Sequence, residues 1–275
     1  MLRLLWQEIL FRRNDIVGWG IGLCFFPIVY IGIYPSVADQ MAGLADLEIY
    51  RYMGMNLGTF ADWIGSILVL FMPLIASIYA LSNGTATLAS EEEDGRLEML
   101  VTLPLPRWQI VAAKALALAV STMLILVIVA LVSVFVFQAI EGQLETDLVA
   151  LDMLAVVAAG WPLIFAMSMI SLFLAAFAPS RRVAVMIAAT ILIVGHFGDN
   201  LAGSTSALEP FEPFFLTSYV DSTGRAVAEG QQVGDVLVLL GIGLAAFVLA
   251  LFFFQRRNLT VGSWPWQRAQ HTATT

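Results

Sequence analysis

Residues 108–138 read WQIVAAKALALAVSTMLILVIVALVSVFVFQ, and Lys114 is the only charged side chain in this run. About 20 apolar residues in a helix cross the hydrocarbon core of a bilayer, so this run can span a membrane and also tilt or project beyond it. Further apolar runs lie near 16–34, 60–81, 151–177, 183–201 and 233–254. Backbone polar groups cannot stay unpaired in lipid, and none of these runs alternates as barrel strands do. The sequence therefore predicts an all-α polytopic membrane protein with six transmembrane helices.

The composition supports the same class. Hydrophobic residues make up 60% of the 275 residues and charged residues only 12%, whereas soluble domains carry about 25% charged residues. The single cysteine, Cys24, excludes a disulfide framework and a thiolate metal cluster. Prolines 27, 73 and 162 fall inside predicted spans and predict kinks. We predict that residues 1–275 form a single transmembrane domain.

The basic residues predict the orientation. Only Arg51 and Arg225 lie in the loops after the first and fifth spans, and the loop after the third span has none. The other lysines and arginines lie in the N-terminal segment, the 82–107 loop with the start of the third span, the 178–182 turn and the 255–275 tail. Cytoplasmic loops carry the excess of basic residues. We therefore expect an integral protein of the prokaryotic plasma (inner) membrane with both termini cytoplasmic.

Residues 1–15 are predicted to form an interfacial helix. Apolar and polar side chains alternate at helical spacing, which is typical of a helix that lies in the membrane interface before the chain enters the bilayer. The apolar positions are Leu2, Leu5, Trp6 and Ile9, and the polar ones are Arg3, Gln7 and Arg12. The alternative is a cytoplasmic extension of the first span.

The 82–107 loop contains an acidic run followed by an apolar one. Glu91 to Asp94 would suit the positive N-terminal end of a short helix. Leu97, Leu100 and Val101 recur at helical spacing, and Pro104 prevents extension of that helix. A short helix that is apolar on one side and acidic at its N-terminus suits a protein groove lined by basic residues better than an anionic lipid surface. The alternative is a solvated charge run on a cytoplasmic extension of a span.

This loop resembles a known family. Residues 92–107 read EEDGRLEMLVTLPLPR, with Lys114 beyond them. They are similar to the loop between the second and third spans of permeases of the type-2 (ABC-2) family of ABC exporters. Arg96 departs from the family's usual Thr, and Ala113 from its frequent Gly, so a changed docking partner stays open.

The resemblance implies a coupling helix that docks on an ATPase subunit. The docking residues would be Glu92, Glu93, Gly95, Leu97, Glu98 and Leu100. A second contact would be the Pro179-Ser180-Arg181-Arg182 turn, although Arg181 and Arg182 serve equally well as topology anchors.

The implied function is the membrane-spanning permease subunit of an ATP-driven exporter. No G-x-x-x-x-G-K-[ST] motif occurs in the chain, so ATP and Mg would be bound by two copies of a separate ABC ATPase. The permease would pair with a second copy of itself or a related permease, and we expect no bound cofactor, metal or nucleic acid.

The family places the pathway at the interface of the two permeases, along the second and fifth spans. Candidates to line it are Trp63, Ser66, Phe71, Thr190 and His196. The outer segment 202–232 holds an aromatic group with two prolines and resembles the family's re-entrant outer helices. It would either gate release or anchor at the interface. The group comprises Phe211, Phe214, Phe215 and Tyr219, with Pro210 and Pro213.

Two other function classes stay open. A polytopic scaffold or sensor subunit would use the acidic loop to recruit a partner that is not an ATPase. An intramembrane enzyme would rely on His196, but one His and one nearby Asp do not complete a metal site. A triad through Ser168 or Ser171 is the other possibility, but neither serine lies in a nucleophile-elbow pattern.

Overall fold

The computed structural model describes residues 2–44, 59–93, 106–203, 205 and 207–256. These residues form helices and turns without any strand, and six helical segments are long and apolar enough to cross a membrane. The segments are Arg13–Ala38, Phe60–Thr87, Arg107–Gln143, Asp152–Phe177, Arg181–Ala202 and Val233–Arg256. The predicted all-α polytopic architecture is confirmed. We call these segments the first to sixth spans.

The first two spans contain segments of π-helix. In the first span, α-helices Arg13–Leu23 and Gly32–Leu44 flank a π segment, Pro27–Ile31. In the second, Phe60–Ile64 leads into the π segment Gly65–Phe71 and then into Met72–Glu93. Pro27 begins one π segment and Pro73 closely follows the other. Proline lacks the N–H that an α-helix needs and clashes with the preceding turn, so irregular backbone is expected at both sites.

The fourth span, predicted near 151–177, is broken directly before Pro162, one of the prolines that predicted a kink. Asp152–Ala158 and Trp161–Phe177 are separate helices, with Pro162 in the first turn of the second. Gly160 occupies the break, where an added Cβ would lie 2.2 Å from Cγ of Pro73. Proline suits a helix start, because the N–H that it lacks has no helical partner there.

The helix of the second span continues to Glu93, well beyond residue 81, where the sequence predicted its end. The prediction that Glu91, Glu92 and Glu93 begin a separate short helix is therefore wrong. Alanine, leucine and glutamate favour helix, and no glycine or proline interrupts residues 85–93, so the helix extends. The chain resumes as the 34-residue helix Arg107–Ile140, about 50 Å long, followed by a 3₁₀ turn, Glu141–Gln143.

The second span lies at the centre of the molecule. It is the most enclosed of the six, and the sixth span is the least enclosed. The fourth span packs between the second and the sixth. Gly84 meets Ser168 and Ser171 at the first contact, and Gly243 meets Phe165 at the second. The absence of a side chain on these glycines lets the spans approach closely.

The outer segment packs onto the ends of the second and fifth spans. It consists of 3₁₀ turns Glu209–Phe214 and Leu216–Tyr219 and the helix Gly224–Glu229. The backbone N–H of Gly224 donates to Oδ1 of Asp62 at 2.7 Å, and Thr217 Oγ1 donates to the Gly195 carbonyl at 3.1 Å. A Cβ on Gly65 would lie 2.1 Å from the carbonyl oxygen of Ser222. The segment is thus held to both spans by backbone contacts.

Candidate functional site

The N-terminal helix Leu2–Phe11 is joined to the third span by a buried ion pair. Lys114 Nζ donates to Oε1 of Glu8 at 2.7 Å, and the two side chains are 1% and 14% exposed. A buried ammonium is costly unless an opposite charge and hydrogen bonds compensate it. Glu8 therefore holds the N-terminal helix against the third span at the position of the one charge in that span's apolar run.

Arg12 joins the same region to the second span. It lies at the turn between the N-terminal helix and the first span and is buried. Its Nη1 donates to Asn83 Oδ1 at 3.2 Å, and its Nη2 donates to Thr87 Oγ1 at 2.8 Å. Asn83 and Thr87 belong to the end of the second span that precedes the 94–106 loop. We call Glu8, Arg12, Asn83, Thr87 and Lys114 the loop-side clasp.

The loop-side clasp connects three helices where the acidic loop begins and ends. The second-span helix enters the loop after Glu93, and the third-span helix leaves it at Arg107. Charge-assisted hydrogen bonds are stronger than neutral ones, and burial keeps water from competing for them. The N-terminal segment is thus bonded to both helices that flank the loop.

The predicted apolar face of the N-terminal helix is divided between two environments. Leu5 and Ile9 are half-buried, whereas Leu2 and Trp6 are exposed. Leu2 and Trp6 are available to a membrane interface, and the interfacial role of this helix stays a prediction.

The second predicted ATPase contact lies at the same end of the molecule. Ser180 caps the fifth span, its Oγ accepting from the N–H of Val183 at 3.5 Å. Leu81, close to the clasp, shares a buried cluster with Ala178 and Ala184 on either side of this turn. Arg181 is half-buried and Arg182 is exposed, and they are the first two residues of the fifth-span helix.

The other predicted docking residues fall at or beyond the limits of the structure. Glu92 and Glu93 lie in the last turn of the second-span helix, and nothing is described of their side chains. Gly95, Leu97, Glu98 and Leu100 lie outside the described residues. Their docking role stays a prediction.

The five pathway candidates are not brought together. Phe71 and His196 are adjacent, with ring centroids 5.6 Å apart in an edge-on arrangement. Trp63 and Ser66 are buried within the protomer, and Trp63 Nε1 donates to the Tyr30 carbonyl at 2.9 Å. Thr190 is exposed, and its hydroxyl donates to the Met186 carbonyl of its own helix at 2.9 Å.

Thr190 belongs to a row of exposed residues along the fifth span, which we call the fifth-span stripe. The row comprises Met186, Thr190, Ile193, Phe197 and Leu201. The spacing of three or four residues places these side chains on one face of the helix. All five side chains are exposed in the protomer, and Thr190 is the polar member of the row.

The enzyme alternative would need further metal ligands beside His196. Among the described residues, no group of three or more His, Cys, Asp or Glu side chains is arranged to hold a metal ion. The ring of His196 lies against Phe71 and Phe197.

Residues 2–259 match a family model described as an ABC-2 family transporter protein. The chain belongs to the ABC-2 transporter family. The resemblance inferred from the acidic loop is confirmed, and this ABC-2 permease is a membrane transport component that is not itself catalytic. The family implies association with an ABC ATPase. A search of curated proteins found no match.

The sequence placed Lys114 in a family motif and Arg12 on the polar face of a helix. It did not indicate that both residues belong to the loop-side clasp. One signal was available. A single lysine in a 31-residue apolar run requires a compensating partner, and Glu8 is the one acid in the N-terminal helix of this ABC-2 permease.

Proposed function

We propose that this ABC-2 permease is the membrane-spanning subunit of an ATP-driven exporter and is coupled through the 91–104 loop to a separate ATPase. The observation that carries the proposal is the loop-side clasp, since buried polar contacts at the base of the loop suit a part that transmits force. A scaffold that only recruited a partner would not need its docking loop fixed to three membrane helices.

The coupling would begin in the ATPase. Two ATPase subunits bind ATP and Mg, and their closure moves the two docking loops of a permease dimer. The acidic end of the second-span helix at Glu92 and Glu93, the loop residues Gly95, Leu97, Glu98 and Leu100, and the Arg181-Arg182 turn are the proposed contacts. In this arrangement both termini are cytoplasmic, and the permease lies in a prokaryotic plasma membrane.

Docking is tested by a pull-down from cells that co-express this permease and an ABC ATPase. Glu98→Arg and Leu100→Asp are expected to lower the amount of bound ATPase at least tenfold, because each places an unfavourable group in the docking groove. Glu145→Arg is the matched control, since it makes the same charge reversal in the loop between the third and fourth spans. It should leave binding unchanged.

Two outcomes would count against the proposal. If Glu98→Arg and Leu100→Asp bind as much ATPase as the parent chain, the 91–104 loop is not the docking element. If the parent chain recovers a stable partner without nucleotide-binding motifs and no ATPase, the scaffold alternative takes its place. Size-exclusion profiles identical to that of the parent chain establish that the variants are folded.

The proposed pathway runs between two copies that face each other along the fifth-span stripe. The stripe supports this assignment because it carries a hydroxyl on an otherwise apolar exposed face, and the aromatic–imidazole pair Phe71 and His196 lies beside it. Thr190 would contribute a hydroxyl to the interface. The buried positions of Trp63 and Ser66 support a packing role in this conformation, so their part in the pathway depends on movement of the second span.

Cysteine cross-linking tests the dimer. In a Cys24→Ala background, which removes the only native cysteine, Phe197→Cys is expected to form a disulfide-linked dimer in membranes treated with a mild oxidant. Phe135→Cys on the third span is the control, because Phe135 is even more exposed but lies away from the stripe. Equal cross-linking at the two positions would indicate random collision and contradict the proposed interface.

A further inference from the structure

An open cavity of about 410 Å³ lies in the bend between the N-terminal helix and the first span. The helix contributes Gln7, Leu10 and Phe11, and the first span contributes Arg13 and Asn14. All five residues are exposed, so a ligand in the cavity can reach their side chains. The volume lies within the usual range for ligand sites. We call this space the elbow cavity.

Arg13 is the charged residue of the elbow cavity. It forms no ion pair with a described residue, whereas the preceding Arg12 is buried and bonded to the second span. Gln7 and Asn14 add amide N–H donors to the same cavity. A guanidinium accompanied by neutral donors suits a phosphate group, because charge-assisted hydrogen bonds to phosphate are strong. The polar part of the cavity therefore favours an anion that accepts several hydrogen bonds.

The nearby carboxylates do not cancel this charge. Glu8 is paired with Lys114 of the third span at 2.7 Å. Asp15 is exposed, but it follows Arg13 by two residues, which places it about 200° around the helix. It lines a separate cavity together with Trp19. Among the described residues no acid lines the elbow cavity, so the positive charge of Arg13 prevails there.

The apolar part of the elbow cavity continues along the N-terminal helix. Phe11 is 86% exposed and Leu10 is 42% exposed, and Leu2 and Trp6 are exposed further along. Arg3 lies about two helical turns before Leu10 and adds a second positive charge to that face. Apolar side chains next to basic ones are typical of a helix bound to an anionic membrane surface. The cavity thus combines a cation for a headgroup with apolar contacts for hydrocarbon.

We propose that the elbow cavity binds an anionic phospholipid, with the phosphate on Arg13 and the upper acyl chain against Leu10 and Phe11. The lipid of the bilayer is the occupant rather than a free phosphate ion, because a free ion would leave both apolar side chains in water. In the orientation proposed above, the cavity faces the cytoplasmic leaflet, whose surface is negative. Only this choice of leaflet rests on the proposed function. Binding itself requires neither an ATPase nor transport.

Native mass spectrometry of the purified full-length permease in a non-ionic detergent tests the proposal. The protein is mixed with equal amounts of phosphatidylglycerol and phosphatidylcholine that carry the same acyl chains, and the lipids that stay bound are counted. Phosphatidylglycerol is expected to be retained about fivefold better, the contribution of one basic residue at an anionic surface. Inorganic phosphate and glycerol phosphate, added as competitors, should not displace it.

Variants separate the charge from the shape of the cavity. Arg13→Gln is expected to abolish the preference for phosphatidylglycerol, and Arg13→Lys should keep most of it. Phe11→Ala alters no charge and should lower retention of both lipids, because it removes apolar contact area. The matched controls are Arg225→Gln in the outer segment and Phe135→Ala on the third span, which change exposed residues far along the chain from the cavity. Both should behave as the parent chain does.

Several results would overturn the proposal. They are equal retention of the two lipids by the parent chain, an unchanged preference in Arg13→Gln, and an equal loss in Arg225→Gln, which would indicate attraction by overall charge. Displacement by inorganic phosphate would also overturn it, since a free anion would then be the occupant. Equal melting temperatures of the variants and the parent chain without added lipid establish that the variants fold. Because the experiment contains no ATPase, its failure would leave the proposed function standing, and a failed docking test would leave this site standing.

Discussion

Glu8→Leu is expected to destabilise the permease by about 3 kcal/mol, because it removes the carboxylate that contacts the buried Lys114 ammonium. The ammonium is almost fully enclosed, and the 2.7 Å contact with Glu8 joins elements 106 residues apart in the chain. The measurement is thermal unfolding of the purified protein in detergent, together with retention of ATPase-stimulating activity. A lower melting temperature and weaker ATPase stimulation are both expected, since the clasp connects the N-terminal helix to the loop.

Two comparisons make this result specific. Arg225→Gln removes an exposed ion pair with Asp221, in which the nitrogen and oxygen are 3.8 Å apart, and it should change stability by less than about 1 kcal/mol. The double variant Glu8→Leu/Lys114→Met should recover most of the lost stability, because neither charge remains buried. If Glu8→Leu costs no more than Arg225→Gln, the ion pair does not hold the clasp together.

Gly84→Leu is expected to have the second large effect, by forcing the second and fourth spans apart. A Cβ at this position would lie 2.6 Å from Cβ of Ser171 and 3.1 Å from the carbonyl oxygen of Ser168. Overpacking of a tight interior typically costs about 1–3 kcal/mol, and here a backbone atom is among the obstacles, so the upper end of that range applies. We expect a lower yield of monodisperse protein and a lower melting temperature.

Gly18→Leu is the matched control for Gly84→Leu. Gly18 lies in the first span, and an added Cβ there meets no atom within 4 Å. It makes the same chemical change in a helix, and replacing glycine in a helix interior is favourable by itself. Equal behaviour of the two variants would show that the close approach of the second and fourth spans is unimportant for stability.

Most of the architecture could be predicted from apolar runs, because the length needed to cross a bilayer is a strong constraint. The residues at which the helices begin and end could not be predicted in this way. The second-span helix continues to Glu93 because helix-favouring residues follow the apolar part, and hydropathy does not register them. The fourth span breaks at Gly160, two residues before the kink predicted at Pro162, but the sequence did not indicate that Pro73 of another span occupies the space there. That contact joins residues far apart in the sequence, so the local spacing of apolar residues does not indicate it.

Only part of the candidate site could be predicted, for the same reason. Helical spacing shows which residues share a face, but not which face of another helix they meet. Lys114 was noted within a motif, yet its partner Glu8 lies in the N-terminal helix. Phe71 and His196, two of the pathway candidates, lie side by side in the structure, whereas Trp63 donates a hydrogen bond to the Tyr30 carbonyl in the core.

The fifth-span stripe has a consequence for how two copies would stay together. In water, a row of exposed apolar side chains drives association. In a bilayer it does not, because acyl chains are as apolar as the side chains they would leave. Two copies that meet along Met186, Ile193 and Phe197 would gain van der Waals contacts between matching surfaces. They would also bring together one pair of Thr190 hydroxyls, and they would gain little more. Such a pair separates at low cost, so the lifetime of the assembly would be set by its motor subunits, and a gap between the copies would open directly into the lipid.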